Sequence, residues 1–428
     1  MWVAWYNGRT SPRSRPGLDP AFAPIAYRLY SRVKTRPTVT HTPTQHVHKH
    51  NIIYITALCL AACLFACGSG FGLEYVTFER EGEEVRVEGR LVVEAKDGGL
   101  MLMARDGVIW TVTPEELVEH TSDKTAFEPL DQDELSARIL AELPGGFGVH
   151  RTPRYMVFHN TSKGYAKWCG SLFIRLYRAF NTYWKSKGFV LAEPEFPLVA
   201  VVFGDKASYV KFARAELGDA AASTIGYFSL RTNRMVMYDL TGVGRAQGRG
   251  SSSLAAITKI LSRPQAAATM ATVVHEATHQ IAFNCGLHAR YSDCPMWFSE
   301  GVAVFFETPD LRSKKGWRGI GKVNTPRLNR FRSYMRRRPQ DSLATLLTDD
   351  DRFRDTSTSL DAYAEAWGLT YFLIKQRPKE YAKYLKFLAE KKPLIWDTPE
   401  TRRREFERVF GDIGKLNVEF LRYMGRVR

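Results

Sequence analysis

Thr272-Val273-Val274-His275-Glu276-Ala277-Thr278-His279-Gln280-Ile281 is the stretch on which the reading of the whole chain turns. On a helix, residues four apart share a face, with Cβ atoms about 5–6 Å apart. His275 and His279 can therefore close on one tetrahedral metal ion at about 2.0–2.1 Å, and zinc is the expected occupant of such a pair. Glu276, beside the first histidine, can reach a water on that ion and take its proton, because zinc brings the pKa of that water from about 15.7 towards 7. These three residues imply hydrolysis of a peptide or a similar amide.

The competing reading is an amphipathic helix with two structural histidines. Ser262 and Gln265 read as a capping box with Pro264 in the first turn, and Gly286 falls where a left-handed C-cap is expected. Between them the helix is almost wholly Ala, Met, Val and Ile, with Glu276 its lone carboxylate. A carboxylate beside two histidines on an apolar helix is costly unless a metal or a partner compensates it. That cost favours the metal. A catalytic zinc needs three protein ligands and an open position. The best third candidate is Glu300, the first acid of a second apolar helix predicted to open at Pro295 and run Met296-Trp297-Phe298-Ser299-Glu300-Gly301-Val302-Ala303-Val304-Phe305-Phe306-Glu307.

With these two helices the chain resembles the gluzincins, zinc peptidases whose H-E-x-x-H helix is followed by a helix donating a glutamate. More narrowly, H-E-A-T-H-Q followed by W-F-S-E-G-V-A-V-F-F-E looks like the peptidase-MA-like families of bacterial envelope proteins, over about residues 150–425. The resemblance implies His275, His279 and Glu300 as zinc ligands and Glu276 as general base. Some gluzincins place an Asp four residues after the ligand glutamate to hold a ligand histidine in its tautomer. Val304 stands there in this chain, so that partner must come from elsewhere. Glu307, one turn further on nearly the same face, is a candidate, and equally reads as a solvent-facing carboxylate at a helix end. Relatives also carry a Tyr or His on a later helix, roughly sixty residues beyond the glutamate, aimed at the developing oxyanion. The segment Asp361–Leu373 resembles their Y-x-x-x-W helix, which makes Tyr363 the candidate. The alternative is an aromatic core stripe of Tyr363, Trp367 and Tyr371 at i, i+4, i+8; for the latter two that reading is preferred. His288 and Tyr291 are lesser candidates. The aminopeptidase members of the clan hold a free amino terminus with an acidic G-x-M-E-N-like motif. None is seen here, which favours an endopeptidase.

A chain of 428 residues, 44% hydrophobic and 12% aromatic, can bury a large core and allows two or three domains. Residues 1–50 differ: they are rich in Arg, Pro, Thr and His, with Asp19 the only acid. The apolar run from Ile52 to Cys67 is short for a membrane span and suits a secretory signal core. Leu60-Ala61-Ala62-Cys63 resembles a lipoprotein lipobox, and Leu64-Phe65-Ala66-Cys67 is a poorer match. The expectation is an exported, cell-envelope protein tethered to a membrane through lipidated Cys63 or Cys67, with plain signal cleavage as the alternative. Cys285 and Cys294 flank the loop between the two metal helices and read either as a disulfide pinning that loop or as two buried thiols. The net charge is +16, and residues 311–340 hold eleven Arg or Lys with no Asp or Glu. That run reads as a solvated face or as an attractor of something anionic. Nucleic acid is disfavoured by export and by the lack of a recognition motif.

The expected fold class is α+β. Residues 1–70 are the basic extension and signal, 71–122 a small β-barrel-like or antiparallel β module, and 123–148 a linker with a charged helix. Residues 149–428 are a zincin-like metallopeptidase domain with a small mixed sheet and a mostly helical C-terminal half. Strands are expected at Tyr155–Phe158, Pro197–Phe203, Gly226–Leu230 and Arg234–Asp239, and helices at Lys163–Lys187 and Lys206–Leu217. In zincin-like folds the strand before the metal helix lines the cleft and can pair with an extended substrate; Met235–Tyr238 is assigned to that place. The function expected is an exported zinc-dependent peptidase acting on a peptide or protein. The alternative is a non-catalytic envelope protein whose zinc is structural and whose β module or basic surface binds the cell wall or a partner.

Overall fold

The computed structural model describes residues 72–241, 253–263, 266–308 and 319–428. The signal-like run, Cys63 and Cys67 lie outside the described residues. The described residues divide into two compact units: one holds 72–105 together with 109–128, and the other holds 106–108 and those from Pro129 onward.

The first unit is an antiparallel sheet of β1 (Gly72–Arg80), β2 (Glu83–Glu94), β3 (Leu100–Ala104), β4 (Ile109–Val112) and β5 (Leu117–Ala126), in the order β4-β3-β2-β1-β5. Strands β4 and β5 are its two edges, so the sheet is open and the expected barrel closure is not found. Glu81 and Gly82 both take positive φ, 57° and 81°, as a two-residue hairpin whose twist matches its strands requires. Strand β2 runs on for 12 residues. A register shift between Leu91 and Val93 interrupts its alternation, as a bulge does. No strand was expected over Leu117–Ala126, where β5 lies. Its Val-Glu-His-Thr-Ser-Asp-Lys-Thr run buries neither face and so carries no apolar alternation to read.

The second unit opens with α1 (Gln132–Glu142), capped reciprocally by Asp131 and Glu134. Its sheet contains β6 (Gly148–Arg151), β7 (Tyr155–His159), β8 (Leu198–Phe203), β9 (Gly226–Phe228) and β10 (Arg234–Tyr238), in the order β6-β7-β8-β10-β9. The central β7-β8-β10 ladder is parallel and the two edges pair antiparallel. Helix α2 (Lys163–Ser186) crosses from β7 to β8, and α3 (Lys206–Leu217) follows β8. Alternation sorts the core into two layers. Tyr155, Val157, Leu198, Ala200, Val202, Met235 and Met237 face α2 and the helical half, whereas Met156, Phe158, Val199, Val201, Phe203 and Val236 face α1 and α3. Interior strands buried on both faces read as unbroken apolar runs, which is why the sequence showed them plainly. The strand assigned to the cleft needs correcting: β10 lies between β8 and β9, so its backbone is already paired, and the free edge belongs to β9.

The helical half comprises α4 (Leu254–Leu261), α5 (Ala267–Asn284), α6 (Met296–Phe306), α7 (Thr325–Met335), α8 (Ser342–Thr348), α9 (Ser359–Gln376), α10 (Pro378–Ala389), α11 (Pro399–Phe410) and α12 (Ile413–Met424). The expected capping box at Ser262 is not formed: Ser262 ends α4, and α5 begins after Ala266 with no side-chain cap. Gln265 and Pro264 lie outside the described residues. Gly286 does end α5 in the left-handed region at φ 74°. None of the helices described is long and apolar enough to cross a membrane.

Candidate metal centre

Helix α5 is buried from Val273 to Ala282, and His275, Glu276 and His279 are 0%, 4% and 8% exposed. Every residue of α6 is buried, and Glu300 is 3% exposed. The two helices, joined by eleven residues of loop between Asn284 and Met296, bring the three expected ligands to one point. His275 Nε2 lies 3.0 Å from Glu300 Oε2 and 3.1 Å from His279 Nε2, and His279 Nε2 lies 3.4 Å from Glu300 Oε2. Two ligand atoms at about 2.0–2.1 Å from a tetrahedral ion are about 3.3 Å from each other. The spacing observed is that of three corners of such a tetrahedron, and among the described residues this His275, His279 and Glu300 group is the one able to hold a metal. The residues present therefore fit a divalent ion, although the geometry does not choose among metals.

The charge of the site is consistent with this. Burial opposes a proton on His275, yet the hydrogen bonds it donates to Glu300 and Glu307 outweigh it and push its pKa up to about 10. Burial likewise opposes ionisation of Glu300, and the two histidines hold it well below the usual carboxylate range. Two buried carboxylates around His275 favour positive charge there, which either a proton or a bound cation supplies.

Glu307 settles the question left by Val304. Its Oε1 accepts from His275 Nδ1 at 2.8 Å, turning Nε2 towards Glu300 and His279. Glu307 is in turn held by Arg327, whose Nη2 donates at 3.0 Å, and by Asn324 Nδ2 at 3.2 Å. Despite burial, Arg327 and His275 bring its carboxyl down to about 2. The sequence did not reveal Arg327. It lies inside the basic run of 311–340, where it counted only as one more surface charge. Other described members of that run are also paired: Arg330 and Arg337 with Asp361, and Arg338 with Glu365. Glu365 also accepts from Arg352 at 2.9 Å and Ser342 at 2.7 Å. Both acids sit on α9, two residues either side of Tyr363.

Tyr363 is 8% exposed, with its ring centroid 6.3 Å from that of His275 and the Arg327 guanidinium 5.4 Å above its face. Burial, then the charges of Glu300 and Glu276, raise its hydroxyl pKa well above 10. It borders the centre and keeps its proton. Trp367 and Tyr371 pack against each other in the core, ring centroids 5.4 Å apart and planes tilted by 35°. His288 packs between Phe283 and Phe298, and Tyr291 takes φ 60° in the loop.

Glu276 is held from outside the ligand cluster. Its Oε2 accepts from Phe228 N–H of β9 at 3.0 Å, and Oε1 is buried with no protein partner among the described residues. The loop between α5 and α6 is not closed by a disulfide, since Cys169, Cys285 and Cys294 are all free thiols. Asp293 pins it instead. Arg402 of α11 grips Asp293 through two bonds of 2.6 and 3.1 Å and reaches Asp350 at 2.9 Å, while Asp350 accepts from Met296 N–H at the start of α6 at 3.0 Å. Gly301 follows Glu300 where α6 meets α9: a Cβ there would lie 2.2 Å from Thr370 Oγ1 and 3.1 Å from Ala366 O. Only glycine permits that approach.

Residues 269–395 match the model of a family described as a protein of unknown function, DUF1570. That stretch includes His275, Glu276, His279, Glu300, Glu307, Arg327 and Tyr363. No curated protein matches the chain.

Proposed function

We propose that this chain is a zinc-dependent peptidase of gluzincin type with a zincin-like catalytic domain. The observation that carries the reading is the convergence of His275, His279 and Glu300 at tetrahedral spacing beside a buried glutamate that takes no part in it. A zinc ion held by these residues would acidify a water molecule and polarise a scissile carbonyl. Glu276, next in sequence to His275, accepts the proton of the attacking water through its unpaired oxygen and returns it to the leaving nitrogen. The Tyr363 hydroxyl, protonated and beside the centre, donates to the developing oxyanion. Glu307 keeps His275 in the tautomer that offers Nε2. The substrate is a peptide or protein. The signal-like N-terminal run supports action outside the cytoplasm, with a lipid tether at Cys63 or Cys67 as the means of attachment.

Metal analysis of purified protein should find one zinc per chain. Glu276→Gln should keep that zinc and lose at least about a hundredfold in peptide hydrolysis, the size expected of a general base. Undiminished hydrolysis in that variant would refute the mechanism, and protein without bound metal would refute the centre.

A further inference from the structure

The two oxygens of Glu276 have unlike surroundings. Oε2 is fixed by Phe228 N–H at 3.0 Å, while Oε1 is buried and unpartnered among the described residues. Phe228 is the last residue of the edge strand β9, opposite Met235, and its N–H is turned to α5 instead of to β10. An outward N–H on a sheet edge is ordinarily left to water or to an added strand. Here it is committed to a carboxylate 48 positions away in sequence. A carboxylate that bonds through one oxygen loses its freedom to rotate, so the other oxygen is held in a fixed direction.

We propose that the Phe228 backbone N–H is a positioning group for Glu276: it anchors Oε2 and so presents Oε1 to the reacting water. The catalytic part of this inference rests on the peptidase reading, but the contact itself does not. A structural consequence follows for the cleft. With Phe228 N–H occupied, an extended ligand laid along β9 finds one fewer main-chain donor on a strand only three residues long.

The contact is tested by residue-resolved amide hydrogen exchange on the full-length chain in chelator. Glu276→Leu should speed exchange at Phe228 by about tenfold or more, and Glu276→Gln, which keeps a carbonyl acceptor, by much less. The Tyr227 amide should hardly change in either. Equal Phe228 rates in wild type and Glu276→Leu would overturn the proposal. Phe228→Pro then tests the catalytic consequence, since proline is tolerated where an edge-strand N–H makes no ladder bond. It should lower kcat about tenfold while KM and bound zinc stay within twofold; a kcat within twofold of wild type also overturns the proposal. If the wild type hydrolyses nothing, the peptidase reading falls, and the exchange rates still decide whether Phe228 holds Glu276.

Discussion

At the scale of single residues, the centre depends on side chains that would touch no metal. Glu307 fixes one imidazole, and Arg327 with Asn324 fixes Glu307, so the ligand geometry is inherited through two successive hydrogen-bonding steps. Glu307→Gln should weaken zinc binding by about 10–100-fold, the usual cost of losing a ligand's supporting carboxylate. Competition with a chromophoric chelator measures it, and unchanged affinity would remove Glu307 from the site. His275, Glu276, His279 and Glu300 were legible in the sequence because isolated polar residues on apolar helices demand a compensating partner. Arg327 was not, because its partner lies 20 positions away and its own neighbourhood is uniformly basic. A charge run shows its sign in sequence but not the direction in which its members point.

At the scale of elements, the question is what keeps α5 and α6 in register. A disulfide between Cys285 and Cys294 was one expectation, and the Asp293–Arg402–Asp350 network is what the molecule uses. Asp293 is fully buried and Arg402 nearly so, and removing one partner of such a pair costs up to about 3–5 kcal/mol, although Lys391 stays 3.5 Å from Asp293. Arg402→Ala should therefore lower the thermal midpoint by roughly 10 °C. Arg402→Lys should recover little of it, since an ammonium cannot grip both carboxylate oxygens. A reducing agent should leave the midpoint unmoved. Calorimetry distinguishes these outcomes, and a loss on reduction would restore the disulfide. Most elements of the second unit could be read from period and caps, because its helices and interior strands have buried faces that impose a pattern. Strand β5 and the start of α5 could not. One has no buried face and the other has no cap.

At the scale of the whole molecule, acid should act through buried histidine as well as through the centre. Burial, aided by His279, pushes the pKa of His288 from 6.5 down to about 3. Between these values the unfolded chain binds a proton that the folded chain refuses, so this group's contribution is intact above pH 6.5 and is lost as the pH falls towards 3. Urea unfolding in chelator across pH 7 to 4 should show a steeper decline for wild type than for His288→Gln; parallel declines would mean His288 is not held neutral. The α+β class and the division between a β-rich unit and a helix-rich one followed from changes of period along the chain. The closed barrel did not follow, because closure depends on which strands meet at the ends, and no local pattern encodes that. One feature reaches across all three scales. Gly301 lets two helix backbones meet where any side chain would wedge them apart, directly behind Glu300. Helix α9 donates nothing to the ligand set, yet it is the wall against which the residue after the third ligand is packed. The Thr370 side chain and the Ala366 carbonyl fill the space a Cβ at position 301 would need, so drift at Gly301 is barred by α9, an element that would never be found by searching for metal-binding chemistry.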